Sequence, residues 1–313
     1  MNTNQQRRAQ LLAGMEEVMG EMPDDEKRVP LDVRILESAQ HPQFTRERLS
    51  FATESENCIE AHLLRPRAPR NEVGKTPAML CLHPTTLLRK DEPAGLGGLE
   101  NLHYAAELAA RGFIALCPDY SLGQKFEPLE IELFDPYAHG YESASMKGIW
   151  NHRVALDLLQ TLPEVDGARL GAIGHSLGGH NTLFLAAFDE RVQVAVSSCG
   201  FSSWRKDGED DVSRWSHSGY MPRIESVYGC DAAKMPFDFG ELLATLAPRA
   251  CFINAPQDDS FGVEGVRECA QEARAAYEEM DASDKLRAVY PPGGHDFPEA
   301  VREDAYQFIE RWI

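Results

Sequence analysis

The chain has 313 residues and carries 31 Lys and Arg against 50 Asp and Glu, a formal net charge of −19. Proteins that bind nucleic acid or anionic membrane surfaces need basic patches, so this charge disfavours both partners and favours a small, uncharged substrate. Hydrophobic residues make up 43% of the sequence, but no apolar run approaches the roughly 20 residues of a membrane span.

Residues 1–43 predict an N-terminal helical arm and linker. Residues 5–20 have the pattern of an amphipathic helix, and an acidic, proline-marked linker follows as far as Pro30. Glu16 and Glu17 interrupt the short apolar stretch and no small-residue cleavage site follows, so we expect no secretion signal and a cytoplasmic location. The arm is the expected contact for a homo-oligomer.

From Phe44 onward, predicted strands alternate with predicted helices. Two strands form a hairpin and the later ones are short apolar runs, typical of strands buried on both faces. The predicted strands are Thr45–Ala52, Cys58–Arg65, Ala78–Leu82, Phe113–Cys117, Leu170–Ile173, Val192–Ser197, Ala250–Ile253 and Leu286–Tyr290. The predicted helices are Leu99–Arg111, 145–161, Leu177–Phe188, Val263–Met280 and Pro298–Trp312.

This alternation predicts one α/β domain, residues 44–313, with helices flanking a mostly parallel central sheet of about eight strands. Residues 201–240 are irregular and rich in Trp, Tyr, Gly and Pro. Connections of this length are typical of lids and binding loops, so we interpret this stretch as a lid insertion.

The seven cysteines form no C-x-x-C pair, and four of them fall in apolar runs that predict buried strands: Cys81, Cys117, Cys199 and Cys251. We therefore expect free core thiols. The sequence contains no H-E-x-x-H motif and no His/Cys cluster with the spacing of metal ligands. Neither a metal nor a cofactor is predicted.

The strongest chemical signal is Gly174-His175-Ser176-Leu177-Gly178, which matches the G-x-S-x-G pattern. This pattern marks a sharp strand-to-helix turn that exposes a nucleophilic serine above a parallel sheet. An apolar strand precedes it and an apolar-periodic helix follows, as the motif requires. We predict that Ser176 is a nucleophile; the alternative is a glycine-rich turn with an inert serine.

A nucleophilic serine needs a histidine base and an orienting carboxylate, which follow it in the order Ser, Asp or Glu, His in this architecture. His295 lies in a loop just after the last predicted strand and is the predicted base. His180 lies on the same helix as the serine, which leaves it badly placed to reach the hydroxyl. His217 lies in the lid and is a candidate substrate contact.

The carboxylate is expected after the penultimate strand, where Asp258 and Asp259 are adjacent. Position within the motif favours Asp258, although spacing does not decide between the two. The second residue would then face solvent or cap the following helix.

Two backbone N–H groups are expected to hold the oxyanion, those of Leu177 and Thr85. Pro84 has no N–H, and His83 is a rival base that more often orders such a loop. Lid aromatics are predicted to roof the substrate pocket or simply to pack the lid. They are Trp204, Trp215 and Tyr220, with Met221 and Tyr228 beside them.

From Phe44 to Ile313 the chain resembles the α/β-hydrolase superfamily, within it the dienelactone-hydrolase-like and acetyl-xylan-esterase-like branch, which is related to the catalytic domains of prolyl oligopeptidases. The motifs that carry the resemblance are HPTT at 83–86, KDEPAG at 90–95, GHSLGG at 174–179, INAP at 253–256 with Asp258, and GHDF at 294–297. Two residues depart from the pattern. Position 176 is serine where dienelactone hydrolases carry cysteine, and Pro84 stands where glycine usually follows the histidine.

The sequence therefore predicts a serine hydrolase that cleaves small, neutral carboxylic esters through an acyl-enzyme. Four alternatives stay open: hydrolysis of small peptides or amides, hydrolysis of thioesters, transfer of the acyl group to another alcohol, and a non-catalytic binding role on the same fold.

Overall fold

The computed structural model describes residues 3–70, 74–120, 134–205 and 212–313. The strands are β1 (Arg34–Gln40), β2 (Phe44–Glu54), β3 (Asn57–Pro66), β4 (Thr76–Leu82), β5 (Ile114–Pro118), β6 (Val165–His175), β7 (Val192–Ser198), β8 (Ala250–Asn254) and β9 (Leu286–Val289). The helices are α1 (Thr3–Met19), α2 (Tyr104–Ala110), α3 (Ala144–Thr161), α4 (Leu177–Phe188), α5 (Arg223–Ser226), α6 (Phe239–Leu246), α7 (Val263–Glu279) and α8 (Glu299–Trp312).

Nine strands of the described residues form a sheet in the order β1-β2-β3-β5-β4-β6-β7-β8-β9. Strands β1, β2, β3 and β5 pair antiparallel, and the pairs from β5 through β9 are parallel. The carboxyl ends of the parallel strands therefore lie along one edge of the sheet, where α/β proteins place their binding sites.

Helices cover both faces of the parallel strands. Met79 of β4 packs in the cluster that includes α2 and α8, whereas its neighbour Leu80 packs in the cluster that includes α3, α4, α6 and α7. Every residue of β4 is buried, as expected for a strand covered on both sides. The predicted α/β class with its mostly parallel sheet is confirmed.

Three of the elements named above were not predicted: β1, the four-residue helix α5 within the lid, and α6. Strand β1 lies within the stretch interpreted as arm and linker; nearly all of its residues are exposed, so its sequence shows no inward-facing apolar alternation. Helix α6 lies at the end of the stretch interpreted as irregular. Its start is fixed by a capping box: the Asp238 carboxylate accepts the backbone N–H of Glu241, and the Glu241 carboxylate accepts the backbone N–H of Asp238.

The helix expected over Leu99–Arg111 is shorter than predicted, because α2 begins only at Tyr104. The Leu99 N–H instead donates to the Glu92 carboxylate at 3.0 Å, and a 3₁₀ turn occupies Glu100–Leu102. All seven cysteines are free, as predicted, and the four expected in strands or at their ends are buried. None of the helices in the described ranges is long and apolar enough to cross a membrane.

Candidate active site

The sequence-predicted site residues follow strands whose ends meet at one edge of the sheet. Leu82, at the end of β4, pairs with Gly174 of β6, and His175 pairs with Ser198 of β7. Ser198 in turn pairs with Asn254, the last residue of β8. This register brings the loops after β4, β6, β7 and β8 together.

Ser176 occupies the turn between β6 and α4 with φ 55° and ψ −118°. A positive φ is strained for a residue with a Cβ and persists only where the surroundings fix it. Here the Ser176 N–H donates to the Ser198 carbonyl at 2.8 Å, and the Ser176 carbonyl accepts from Gly179 at 2.8 Å. These contacts hold the serine in the conformation expected of a nucleophile elbow.

The glycines around Ser176 permit close backbone approach. A Cβ on Gly174 would lie 2.2 Å from the Gly178 carbonyl oxygen, and one on Gly178 would lie 2.0 Å from the Leu82 carbonyl oxygen. A Cβ on Gly179 would meet the Ser198 carbonyl at 2.8 Å. The start of α4 is therefore pressed against the ends of β4 and β7, which places Ser176 between them.

Two backbone N–H groups near this turn have no hydrogen-bond partner among the described residues, those of Leu177 and Thr85. The Leu177 N–H belongs to the first turn of α4, whose amides have no partner within the helix. Thr85 lies three residues beyond the end of β4, the strand that the start of α4 contacts. Both amides are available as donors where the sequence predicts an oxyanion hole.

The imidazole of His295 contacts Asp259: the distance from His295 Nδ1 to Asp259 Oδ1 is 2.9 Å. The sequence favoured Asp258 as the partner of His295, and this prediction was wrong, because the contact is made by Asp259. Asp258 is exposed and donates its backbone N–H to the Gly293 carbonyl, which ties the two loops together and turns its side chain to the surface. Asp259, one residue later, is directed inward instead, and its side chain is only 2% exposed.

The environment of Asp259 favours its charged form. Burial would raise the pKa of this carboxyl group, but hydrogen bonds with His295 and the Cys199 thiol outweigh burial and lower the pKa to about 2. The carboxylate is therefore ionised at neutral pH and can hold the His295 Nδ1–H. The His295 side chain is 36% exposed, and its ring centroid lies 4.7 Å from that of His175 and 5.9 Å from that of Phe261.

The other candidate histidines have different surroundings. His180 is 1% exposed and its Nδ1 lies 3.2 Å from the Gly200 carbonyl, so its ring packs away from the surface. His217 accepts the Gly219 N–H within the lid and lies 4.2 Å from the Tyr220 ring. His83 is fully buried, and its Nδ1 lies 2.9 Å from the Pro84 carbonyl.

The lid aromatics divide into two groups. Trp204 and Trp215 are only 1% and 2% exposed, and they stack on each other with centroids 5.9 Å apart. For them the structure shows packing within the lid core. Tyr220 instead reaches the loop after β4, with its Oη 3.4 Å from Thr85 Oγ1.

Sequence reasoning did not place the end of β7 at this site. Cys199 has φ 49°, is 2% exposed, and lies with its Sγ 3.4 Å from the Asp296 carbonyl. Ser198 contacts His175 Nδ1 through its Oγ at 2.9 Å. The signal was available, because polar residues and a glycine at the end of a buried strand mark the same sheet edge as Ser176.

A family model described as "Glucuronyl esterase, fungi" matches residues 132–281. Among curated proteins, YtaP of Bacillus subtilis (strain 168), which is named as a hydrolase, is 24% identical over 95% of this chain and 96% of its own length. A 4-O-methyl-glucuronoyl methylesterase of Hypocrea jecorina (strain QM6a) is 21% identical over 58% of this chain; the match spans 44% of that protein.

Among solved structures, a glucuronoyl esterase from Solibacter usitatus superposes with a TM-score of 0.71 at 19% identity, covering 97% of this chain and 91% of that one. At this identity the likeness concerns the fold. It agrees with the predicted α/β fold class.

Proposed function

We propose that this chain, whose fold is that of a glucuronoyl esterase structure, is a carboxylic ester hydrolase that cleaves its ester with Ser176 as nucleophile, His295 as base and Asp259 as the orienting carboxylate. The observation that carries this assignment is a positive-φ serine after β6 at the same sheet edge as a histidine and a buried carboxylate that are joined at 2.9 Å.

In the proposed reaction, His295 takes the Ser176 hydroxyl proton as the oxygen attacks the ester carbonyl. Asp259 accepts the Nδ1–H of His295, so Nε2 is the nitrogen left to receive that proton. The imidazolium then protonates the departing alcohol. Water releases the acid by the same steps, with His295 first as base and then as acid.

The developing oxyanion would be held by the N–H groups of Leu177 and Thr85. Both amides lack a partner among the described residues, and both follow strand ends that the Gly178 contact brings together. Donors that are fixed before the reaction stabilise the transition-state charge without reorganisation.

For the substrate, we favour a small neutral ester whose acyl part is a sugar acid. The support is the glucuronyl esterase model over residues 132–281 and the likeness to a 4-O-methyl-glucuronoyl methylesterase. An ester of a uronic acid has lost the charge of its carboxylate, which suits a protein of net charge −19. Tyr220, beside Thr85, is the lid residue we expect to contact the acyl group.

The test compares wild type with Ser176→Ala on a methyl uronate and on an acetate ester of a chromogenic alcohol. We expect the variant to lose at least about 10⁵-fold in kcat on both esters. Unchanged turnover in the variant, or none in wild type, would contradict the proposal. Faster turnover of an aminoacyl anilide than of either ester would favour the amidase alternative.

A further inference from the structure

The fold gathers three metal-ligating side chains that are far apart in the sequence. A potential ligand atom of His175, one of Cys199 and one of His295 all lie within 4.8 Å of one another. They come from the end of β6, the residue after β7 and the loop after β9. His175 and Cys199 are buried, whereas His295 is exposed.

Each histidine has its Nδ1 already engaged. His295 Nδ1 lies 2.9 Å from Asp259 Oδ1, and His175 Nδ1 lies 2.9 Å from Ser198 Oγ. Ser198 Oγ also accepts the side-chain amide of Asn254 at 2.9 Å, which fixes the hydroxyl. Histidines that bind metals commonly donate one ring N–H to a carboxylate or another oxygen and present the second nitrogen to the ion. With each Nδ1 engaged in this way, Nε2 is the nitrogen that each ring has left to bind an ion.

We propose that His175, Cys199 and His295 bind a soft divalent metal ion of the Zn²⁺ class, and that the ion inhibits ester hydrolysis by occupying Nε2 of His295. The inhibitory part rests on the proposed function, because Nε2 is the atom assigned to receive the Ser176 proton. The binding part stands on the ligand geometry alone.

The ligand set determines which ions fit. Two imidazoles and a thiolate favour zinc and similar ions over magnesium or calcium, which require oxygen ligands. In a tetrahedral zinc site with bonds of about 2.0–2.3 Å, ligand atoms lie about 3.3–3.8 Å apart. The longest separation here must therefore shorten by about 1 Å. Rotation of the exposed His295 ring can supply this movement without disturbing the core.

Binding is balanced by release of one proton. The Cys199 thiol exchanges its hydrogen for the metal bond, and the proton passes to solvent. In doing so Cys199 gives up its hydrogen bonds to the Asp296 carbonyl and to the Asp259 carboxylate. The exposed side of His295 leaves the fourth coordination position open to water, so an added chelator can remove the ion.

The first experiment measures binding without using activity. Chelator-treated protein is titrated with Zn²⁺ by calorimetry, and with Co²⁺ while the near-ultraviolet thiolate-to-cobalt absorption is recorded. We expect one ion per chain and a thiolate–cobalt band in wild type. Cys199→Ser keeps the side-chain shape and should weaken zinc binding at least about tenfold and abolish the band. Cys58→Ala, which removes an exposed thiol on β3, is the matched control and should behave as wild type.

The second experiment measures inhibition, with each variant compared with its own metal-free rate. Zn²⁺ should inhibit wild type and Cys58→Ala, and a chelator should restore activity; Cys199→Ser should need at least about tenfold more zinc. Equal binding in wild type and Cys199→Ser, or no cobalt band in wild type, would overturn the site. If Cys199→Ser does not fold, the wild-type cobalt band decides. Binding without inhibition would overturn the inhibitory part, whereas inactive metal-free wild type would count against the proposed function instead.

Discussion

Two histidine–aspartate pairs lie at the same sheet edge, one on each side of the strand that carries Ser176. His295 and Asp259 follow β9 and β8, and their contact is 2.9 Å. His83 and Asp119 follow β4 and β5, and His83 Nε2 lies 4.0 Å from the Asp119 carboxylate. Both pairs have the residue types of a catalytic base and its partner, yet their surroundings differ.

On the β4–β5 side the carboxylate is already paired. Lys90 Nζ lies 2.8 Å from Asp119 Oδ2, so the aspartate neutralises a lysine. His83 is fully buried, and its ring stacks on Tyr120 at 4.0 Å. Burial lowers the pKa of His83 to about 4, and Asp119 offsets this only in part. His83 is therefore the weaker candidate for a base, because burial disfavours its protonated form and its aspartate is committed to Lys90.

The first prediction compares the loss of kcat on replacing Asp259 with the loss on replacing Asp258. Asp259→Asn removes the carboxylate that orients the His295 imidazole and should lower kcat about 10³- to 10⁴-fold. Asp258→Asn is the matched control, one residue away and exposed, and should stay within about twofold because surface changes of this kind cost little. Steady-state kinetics on one ester measures both, and equal losses would contradict the assignment.

A second prediction concerns the close contact between Gly178, at the start of α4, and Leu82, at the end of β4. Gly178→Ala places a Cβ 2.0 Å from the Leu82 carbonyl oxygen, so the start of α4 must move away from β4. We expect a loss of about 1–3 kcal/mol in the free energy of unfolding and of about 100-fold in kcat, since both proposed oxyanion donors lie beside this contact.

Gly148→Ala on α3 is the control for that substitution, because its Cβ would meet other atoms only at 3.9 Å or beyond. It should leave kcat unchanged, as judged by the same ester assay and by urea unfolding. Normal activity in Gly178→Ala would show that the contact does not position the donors.

A third prediction concerns stability in acid. His152, beside Tyr120 on the β4–β5 side, is fully buried, and neither ring nitrogen has a hydrogen-bond partner among the described residues. Burial lowers its pKa to about 3. Between pH 6.5 and that value the unfolded chain binds a proton that the folded chain does not, so stability falls as pH falls, by about 1.4 kcal/mol per pH unit.

Replacing this ring should therefore flatten the pH dependence. Between pH 7 and 4.5 the free energy of unfolding of wild type should fall about 2–3 kcal/mol more than that of His152→Phe. Urea unfolding at the two pH values measures the difference. An equal decrease in the free energy of unfolding of the two proteins would show that His152 binds its proton as readily in the folded state as in the unfolded state.

The smallest expected effect concerns charge at the β8–β9 side. The sequence offers Arg205, Lys206, Arg214 and Arg223 as lid cations, and Lys206 lies outside the described residues. Arg214 donates to the Ser260 carbonyl at 3.1 Å, and its guanidinium lies 5.1 Å from the Phe261 ring, next to His295. We compare kcat/KM for an ester that carries a distant negative charge with kcat/KM for a neutral ester. Arg214→Ala should lower the charged-to-neutral ratio about two- to fivefold.

Arg223→Ala is the control for the lid cation, because Arg223 pairs with Glu142 and donates to the Glu17 carbonyl at 2.9 Å. It should leave the ratio of kcat/KM values for the two esters unchanged. Equal ratios in wild type and Arg214→Ala would show that Arg214 has no part in selecting charge.

Much of this arrangement could be predicted from the sequence. Helix α4 begins and ends where expected, because the elbow motif fixes its start and its apolar content is high. The sequence also correctly predicted that His295 lies in the loop after the last strand. Strand β1 escaped prediction because it is an exposed edge, and pattern-based reasoning detects burial.

The choice between Asp258 and Asp259 depended on tertiary structure. Neighbouring residues in a loop point in different directions: the Asp258 N–H bonds the Gly293 carbonyl with its side chain exposed, whereas the Asp259 carboxylate contacts His295. Sequence spacing carries no such information. The same holds for Cys199, whose approach to His175 and His295 depends on the order of β6, β7, β8 and β9 in the sheet.

The assignment of Ser176 as the nucleophile is tested by labelling the protein with a fluorophosphonate and locating the adduct by peptide mass spectrometry. We expect one adduct, on Ser176, formed at least about 10³-fold more slowly in His295→Ala and at near-normal rate in His217→Ala. An adduct on another serine, or labelling of Ser176 at an equal rate in His295→Ala, would contradict it.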